Sequence, residues 1–357
     1  MRTSLGRLLQ LLSLVLSNLM LLAVPCVAAS NAPTVSSLSP AAAPVASGAF
    51  TLTIFGSNFT PSSVVRWNGS PHPVKYDSSS QLEVQISSLD VQFLGNNMIT
   101  VTTPGAGTSA PVAFSVYLPL PTNDLVYDVH RGVLWASVPS SAGTSLGNSI
   151  VSIDPYTGVL GNHLWIGSEP SKLSLSSDGS TLWIALAGSP SVRKVDLNAM
   201  ALTGVRLYFP GGWGYNVYAT SLAASPGSSS AVAVAAGNVS IFDNATQRPN
   251  SGPGATYLTY GPQASTLYGF SSGLSIYTVN STGIASTKNP PNSGNYSTDL
   301  RYDNGRLYLT SGEVLSGSSG SLLGTFAASG PVAPDSSAGR AFILNTSQTS
   351  GTPNQVT

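Results

Sequence analysis

Apolar and polar residues alternate with a period of two through most of this chain. Phe50, Leu52 and Ile54 are spaced by Thr51 and Thr53, and Leu82, Val84 and Ile86 by Glu83 and Gln85. Ile99 and Val101, then Val112, Phe114 and Val116, repeat the pattern. Such spacing predicts strands with one face in a core. Turn residues punctuate them: Gly56-Ser-Asn58 follows the first, and Val64 to Trp67 runs into Asn68-Gly69. That dipeptide suits a type I′ hairpin because both positions accept positive φ. Outside the N-terminal leader no helical period stands out, so the predicted class is all-β.

Five or more short strands within residues 33–117 predict a β-sandwich. The opening Pro33-Thr-Val-Ser-Ser-Leu-Ser-Pro40, the Gly56-Ser-Asn-Phe59 turn, Trp67-Asn-Gly69 and Val101-Thr-Thr-Pro-Gly105 resemble the IPT/TIG family. That resemblance implies an immunoglobulin-like sandwich of a kind common on cell surfaces and says little about activity. Leu118-Pro-Leu-Pro121 reads as a stiff linker, since each proline fixes its own φ and restricts its neighbour.

From residue 122 to 357 the chain repeats. A turn followed by an apolar strand recurs at His130-Arg-Gly-Val-Leu-Trp135, Asp178-Gly-Ser-Thr-Leu-Trp183 and Gly227-Ser-Ser-Ser-Ala-Val232. Further copies are Gln263-Ala-Ser-Thr-Leu-Tyr268, Asn304-Gly-Arg-Leu-Tyr308 and Ala338-Gly-Arg-Ala-Phe342, with last residues 34 to 49 positions apart. All-β repeats of this length predict propeller blades. The second copy, with Val192-Arg-Lys-Val-Asp-Leu197 after it, resembles the YVTN-type propellers of secreted bacterial proteins. About six blades are expected. Either the ring closes with help from residues 123–127, or the last blade is incomplete or the ring truncated; the reading favours the latter.

Composition narrows the function. Lys+Arg and Asp+Glu number 14 each, and charged residues are 8% of the chain. A surface so poor in charge offers no basic patch for nucleic acid or anionic lipid. Arg2 and Arg7 precede an apolar run over residues 8–24, then Pro25 and small residues Val27, Ala28 and Ala29. This reads as a signal peptide over residues 1–29. A retained anchor and a lipoprotein acylated on Cys26 are the alternatives, although Pro25 departs from the small residue such lipoprotein sites prefer. Cleavage would remove the one cysteine, leaving no disulfide, zinc-thiolate site or thiol nucleophile, and no membrane insertion. The sequons at Asn58, Asn68, Asn238, Asn244, Asn280, Asn295 and Asn345 reflect abundant Asn, Ser and Thr.

Candidate chemistry is sparse. Asp154, Asp196 and Asp243 end apolar strands, where an Asp side chain caps its own turn. Ser176-Ser-Asp-Gly-Ser-Thr-Leu-Trp183 departs from the sialidase Asp-box and is assigned to a hairpin turn. His72, His130 and His163 have no metal-ligand spacing and read as turn residues. Gly211-Gly-Trp-Gly-Tyr-Asn-Val-Tyr218 is the most suggestive loop: Trp213, Tyr215 and Tyr218 offer flat faces for stacking on a ligand, or else plug a gap between blades. The expectation is a secreted or cell-surface, non-catalytic binding, adhesion or scaffold protein that recognises an extracellular protein or carbohydrate. It needs no cofactor and no metal. The alternative is a lactonase-like or quinoprotein-like propeller enzyme, in which Asp124, Asp128, Glu169, Asp299 and Asp303 would converge at the central channel.

Overall fold

The computed structural model describes residues 31–209, 216–291, 297–345 and 355–356. Among them there is no α-helix, only one short 3-10 turn at Ser140–Ala142. The all-β expectation holds.

Two sheets form the N-terminal sandwich. One orders strands Thr34–Ser39, Phe50–Ser57, Gln81–Ile86 and Val74–Ser78; the other runs Ala42–Pro44, Val112–Tyr117, Gly95–Thr103, Val64–Trp67 and Ser70–His72. The alternating residues do what their spacing predicts. Leu52, Ile54, Leu82, Val84 and Ile86 from the first sheet, and Val65, Ile99, Val101 and Phe114 from the second, are all buried. Phe114 stacks on Phe50 at 5.8 Å and lies 5.1 Å from the Trp67 ring. The hairpin at Asn68-Gly69 has φ of 46° and 85°, the two positive values a type I′ turn requires.

Six sheets follow, each of strands joined in simple sequence order. The first blade comprises Asp124–Asp128, Val133–Val138, Ser149–Ile153 and Leu160–Trp165. The second comprises Pro170–Leu175, Thr181–Leu186, Ser191–Asp196 and Ala201–Tyr208. The third has Ser221–Ala224, Ala231–Ala236, Asn238–Asp243 and Thr246–Gln247, and the fourth Tyr257–Tyr260, Thr266–Phe270, Leu274–Asn280 and Gly283–Lys288. The fifth holds Leu300–Asp303, Arg306–Leu309, Glu313–Ser316 and Leu322–Thr325. The sixth has three strands among the described residues: Val332–Asp335, Arg340–Asn345 and Gln355–Val356. The first strand of each blade packs beside the first strand of the next, from Asp124–Asp128 through to Val332–Asp335. This is propeller architecture, with three strands of the last sheet among the described residues.

Apolar clusters lie between successive blades. Trp135 and Ile150 pack with Leu173, Leu182 and Ile184, and Trp183 and Val192 with Leu222, Val232 and Phe242. At the sixth blade, Tyr308 and Val314 pack with Val332 and Ile343. The linker leucines do more than space: Leu118 and Leu120 pack onto Ala136, Val138 and Val151 of the first blade.

Short polar side chains tie neighbouring first strands together. Oδ2 of Asp124 accepts the Leu173 amide at 2.9 Å, and Oγ of Ser174 the Ala224 amide at 2.8 Å. Oγ of Ser221 accepts the Leu258 amide at 2.9 Å. Oδ2 of Asp303 accepts the Ser336 amide at 2.7 Å. Between the fourth and fifth blades the link is aromatic, Tyr268 stacking on Tyr302 at 5.6 Å. A serine-rich, charge-poor sequence thus satisfies its backbone between blades with hydroxyls and a few carboxylates.

Candidate functional site

The carboxylates that would serve a propeller enzyme are engaged with backbone or with arginine. Asp124 braces the second blade and also accepts the Leu125 amide, and burial pushes its carboxyl above the ordinary value. Asp128 is buried against Arg131. Oδ1 of Asp299 accepts the Leu300 amide at 2.8 Å while Oδ2 pairs with Arg301. Asp303 holds Ser336, and Glu169 sits with φ of 52° beside the Ser140 amide. Among the described residues, no three His, Cys, Asp or Glu side chains gather closely enough to hold a metal ion.

The turn aspartates divide. Oδ1 of Asp154 accepts the Tyr156 and Thr157 amides, and Oδ1 of Asp196 those of Asn198 and Ala199, which is the predicted capping. Asp243 is different. Its two oxygens take Nε and Nη2 of Arg248 at 2.8 and 2.9 Å, a bidentate pair. Asp178 caps its hairpin as expected: Ser176 Oγ and the Ser180 amide and hydroxyl donate to it, holding its carboxyl down to about 2. His130 contacts the Ser177 carbonyl oxygen at 3.0 Å from its turn, whereas His72, against Trp67, and the exposed His163 both stand in strands rather than in turns. Of the three loop aromatics, Trp213 and Tyr215 lie outside the described residues; Tyr218 is exposed, with the Asn216 side-chain amide 3.5 Å from its hydroxyl.

A sizeable cavity lies elsewhere, on the fifth blade. It encloses about 470 Å³ and is lined by Arg306, Tyr308, Val314, Leu323, Thr325 and Phe326, with Gly324. A second cavity of about 240 Å³ shares Arg306, Tyr308 and Phe326 and continues along Asn304, Ser336 and Arg340. The two make one groove. Tyr308 is its floor, 6% exposed and anchored in the inter-blade cluster, whereas Phe326 is 42% exposed. The local sequence explains the placement. Gly305-Arg306 and Gly339-Arg340 close equivalent turns, so each arginine begins the second strand of its blade. The twice-repeated Gly-Arg was the one available sequence signal for this site. That the Arg306 and Arg340 turns border one hollow was not legible.

The two paired sheets, the Trp67-Asn-Gly69 turn and the buried alternating residues fix the character of the N-terminal unit. Residues 33–116 match the IPT/TIG domain. The TIG unit supplies 84 of 357 residues by that match, so it describes the N-terminal part of the chain alone. Against curated protein sequences the chain has no match. Among solved structures, hydrazine synthase from Kuenenia stuttgartiensis aligns at 17% identity with a TM-score of 0.42, over 56% of this chain and 57% of that one. The chain therefore spans less than two thirds of that protein. An auxiliary nutrient binding protein from Bacteroides ovatus aligns at 11% identity and a TM-score of 0.40, over 84% of this chain and 87% of that one. The Cps50 β-propeller domain from Myceliophteria thermophila aligns at 15% identity and a TM-score of 0.42, over 64% and 67% respectively.

Proposed function

We propose that this chain is a non-catalytic binding protein of the cell surface or extracellular space, a TIG sandwich followed by a YVTN-type propeller of the bacterial surface kind. Its partner is an extracellular glycan or protein. The observation that carries this reading is the groove between the fifth and sixth blades, where an exposed ring, a buried tyrosine floor and two guanidiniums line one elongated hollow. Its larger cavity falls within the roughly 300–1,000 Å³ range of small-ligand sites. The engagement of Asp124, Asp299 and Asp303 with backbone amides supports binding over chemistry, because those carboxylates hold blades together. The apolar leader with its two arginines supports the compartment. Among the described residues, no helix is long and apolar enough to cross a membrane.

Tyr218 belongs to the same proposal as a second contact point on its exposed loop. The test is an array of extracellular glycans and matrix proteins probed with the purified chain, alongside Phe326→Ala and Tyr218→Ala. Both positions are exposed, so both variants are expected to melt with the wild type. Loss of array binding in Phe326→Ala supports the groove. An array on which no ligand is retained, or on which Phe326→Ala binds unchanged, refutes it.

A further inference from the structure

The groove carries a positive electrostatic sign. Arg306 and Arg340 are two of only 14 basic residues, and both line its smaller cavity. No aspartate or glutamate lines either cavity. The nearest carboxylates by strand pairing are Asp303 opposite Arg306 and Asp335 opposite Arg340; Asp335 feels the Arg340 charge, but the hydrogen bonds of both carboxylates go to other groups. Asp303 holds the Ser336 amide, and Oδ1 of Asp335 accepts from the Ser337 hydroxyl and the Ala338 amide.

We infer that this groove takes an acidic saccharide, a short run of pyranose rings bearing carboxylate or sulfate groups. The inference rests on the binding reading above and names its ligand class. Each component of such a ligand has a counterpart. Guanidinium forks match carboxylate or sulfate oxygens with paired hydrogen bonds. Phe326 and Tyr308 present aromatic surface to the apolar faces of sugar rings, and Asn304, Thr325 and Ser336 offer neutral donors and acceptors to ring hydroxyls. The two cavities join at Arg306, Tyr308 and Phe326, so the site is longer than one compact ligand needs.

An acidic peptide is the competing occupant, since Leu322–Thr325 is the outermost strand of its blade and an edge can accept an added strand. The placement of charge favours the saccharide. Arg340 belongs to the neighbouring blade and lines the cavity beside Ser336 and Gly339, so a strand paired along Leu322–Thr325 would make its backbone bonds without it.

Calorimetric titration of the full chain tests this with four probes: a galacturonate hexamer, its carboxyl-reduced galactose counterpart, a sulfated galactose hexamer and a glutamate hexapeptide. The acidic hexamers are expected to bind, and the neutral one about tenfold or more weaker. The uronate and sulfate arms separate the two sources of negative charge. Arg306→Gln and Arg340→Gln are each expected to lose about threefold to tenfold in affinity at an unchanged melting temperature, and raised salt to weaken the wild type. Equal binding of acidic and neutral hexamers, with both lost in Phe326→Ala, overturns the inference and leaves the binding reading standing. Preference for the peptide, or no response to any saccharide, also overturns it.

Discussion

The indole nitrogen of Trp135 donates to Oδ2 of Asp128 at 3.2 Å, seven residues back across the first hairpin of the first blade. Arg131 donates to the same oxygen at 2.8 Å, and its guanidinium continues to the Gly179 carbonyl and the Asn198 side chain of the second blade. Asp128 is fully buried. Burial alone would raise its carboxyl; hydrogen bonds from Arg131 and Trp135 outweigh that and hold it below the ordinary value. Asp128→Ala leaves the indole N–H without its acceptor and takes from the guanidinium its carboxylate, leaving it the Gly179 and Asn198 oxygens. We expect a loss of about 2–4 kcal/mol by denaturant unfolding, the range for breaking one side of a mostly buried pair. A loss under about 1 kcal/mol would show the pair to be incidental.

Trp183 occupies the matching repeat position in the second blade, equally buried, yet its indole nitrogen has no hydrogen-bond partner among the described residues. Lys194 lies 5.3 Å above its ring instead. Both Trp→Phe substitutions leave a similar void, but only Trp135→Phe also loses a hydrogen bond, whereas Trp183→Phe removes an unpartnered N–H and alters the Lys194 contact. Trp135→Phe should cost about 1 kcal/mol more than Trp183→Phe. Equal losses in parallel urea titrations would contradict the assignment of Asp128 as a partner.

Acid stability follows from the carboxyls held low. Asp128, Asp154, Asp178, Asp243 and Asp335 all sit below the ordinary value in the folded chain, Asp178 at about 2. A depressed carboxyl contributes stability above its unfolded value of about 3.9, and that contribution disappears as pH falls through the folded value. Asp124 works in the opposite sense, because burial favours its neutral form and its contribution is lost as pH rises. The melting temperature should therefore fall between about pH 4 and pH 2. Asp178→Asn should flatten that fall, and Asp124→Asn should steepen it. A melting profile level through this window would remove the assignment.

In the sandwich, the backbone at Gly56 approaches Thr34 so closely that a Cβ would lie 1.9 Å from the Thr34 carbonyl oxygen. This is where the pairing of the first two strands of that sheet shifts register. Gly56→Ala is expected to cost about 2 kcal/mol or more, since the neighbour is backbone and cannot rotate away. Hydrogen exchange should accelerate within residues 34–117. Unchanged protection there would mean the strands separate without penalty.

Much of the architecture was legible because its signals are local. Asn68-Gly69 fixes a turn by its own φ preferences, and the tryptophans at 135 and 183 mark equivalent strands by repetition. The turn caps at Asp154 and Asp196 are local as well. What escaped is whatever depends on which side chains meet beyond a turn's own pattern, within a blade or between blades. Asp243 carries the same local pattern as Asp154, but Arg248 across the loop offers two donors in a fixed fork and wins the carboxylate. Arg306 and Arg340 lie on neighbouring blades, and nothing in either turn reveals that they flank a common hollow. The braces from Ser174 and Ser221 were invisible for the same reason, being two serines among many.

Those braces bear on how such a chain changes over generations. A hub stitched by hydroxyls and main-chain amides requires no matching of opposite charges from one unit to the next. A unit bordered by such serine seams can be duplicated or deleted without stranding an ion there, whereas the seams braced by Asp124 and Asp303 each carry a carboxylate that must keep its amide.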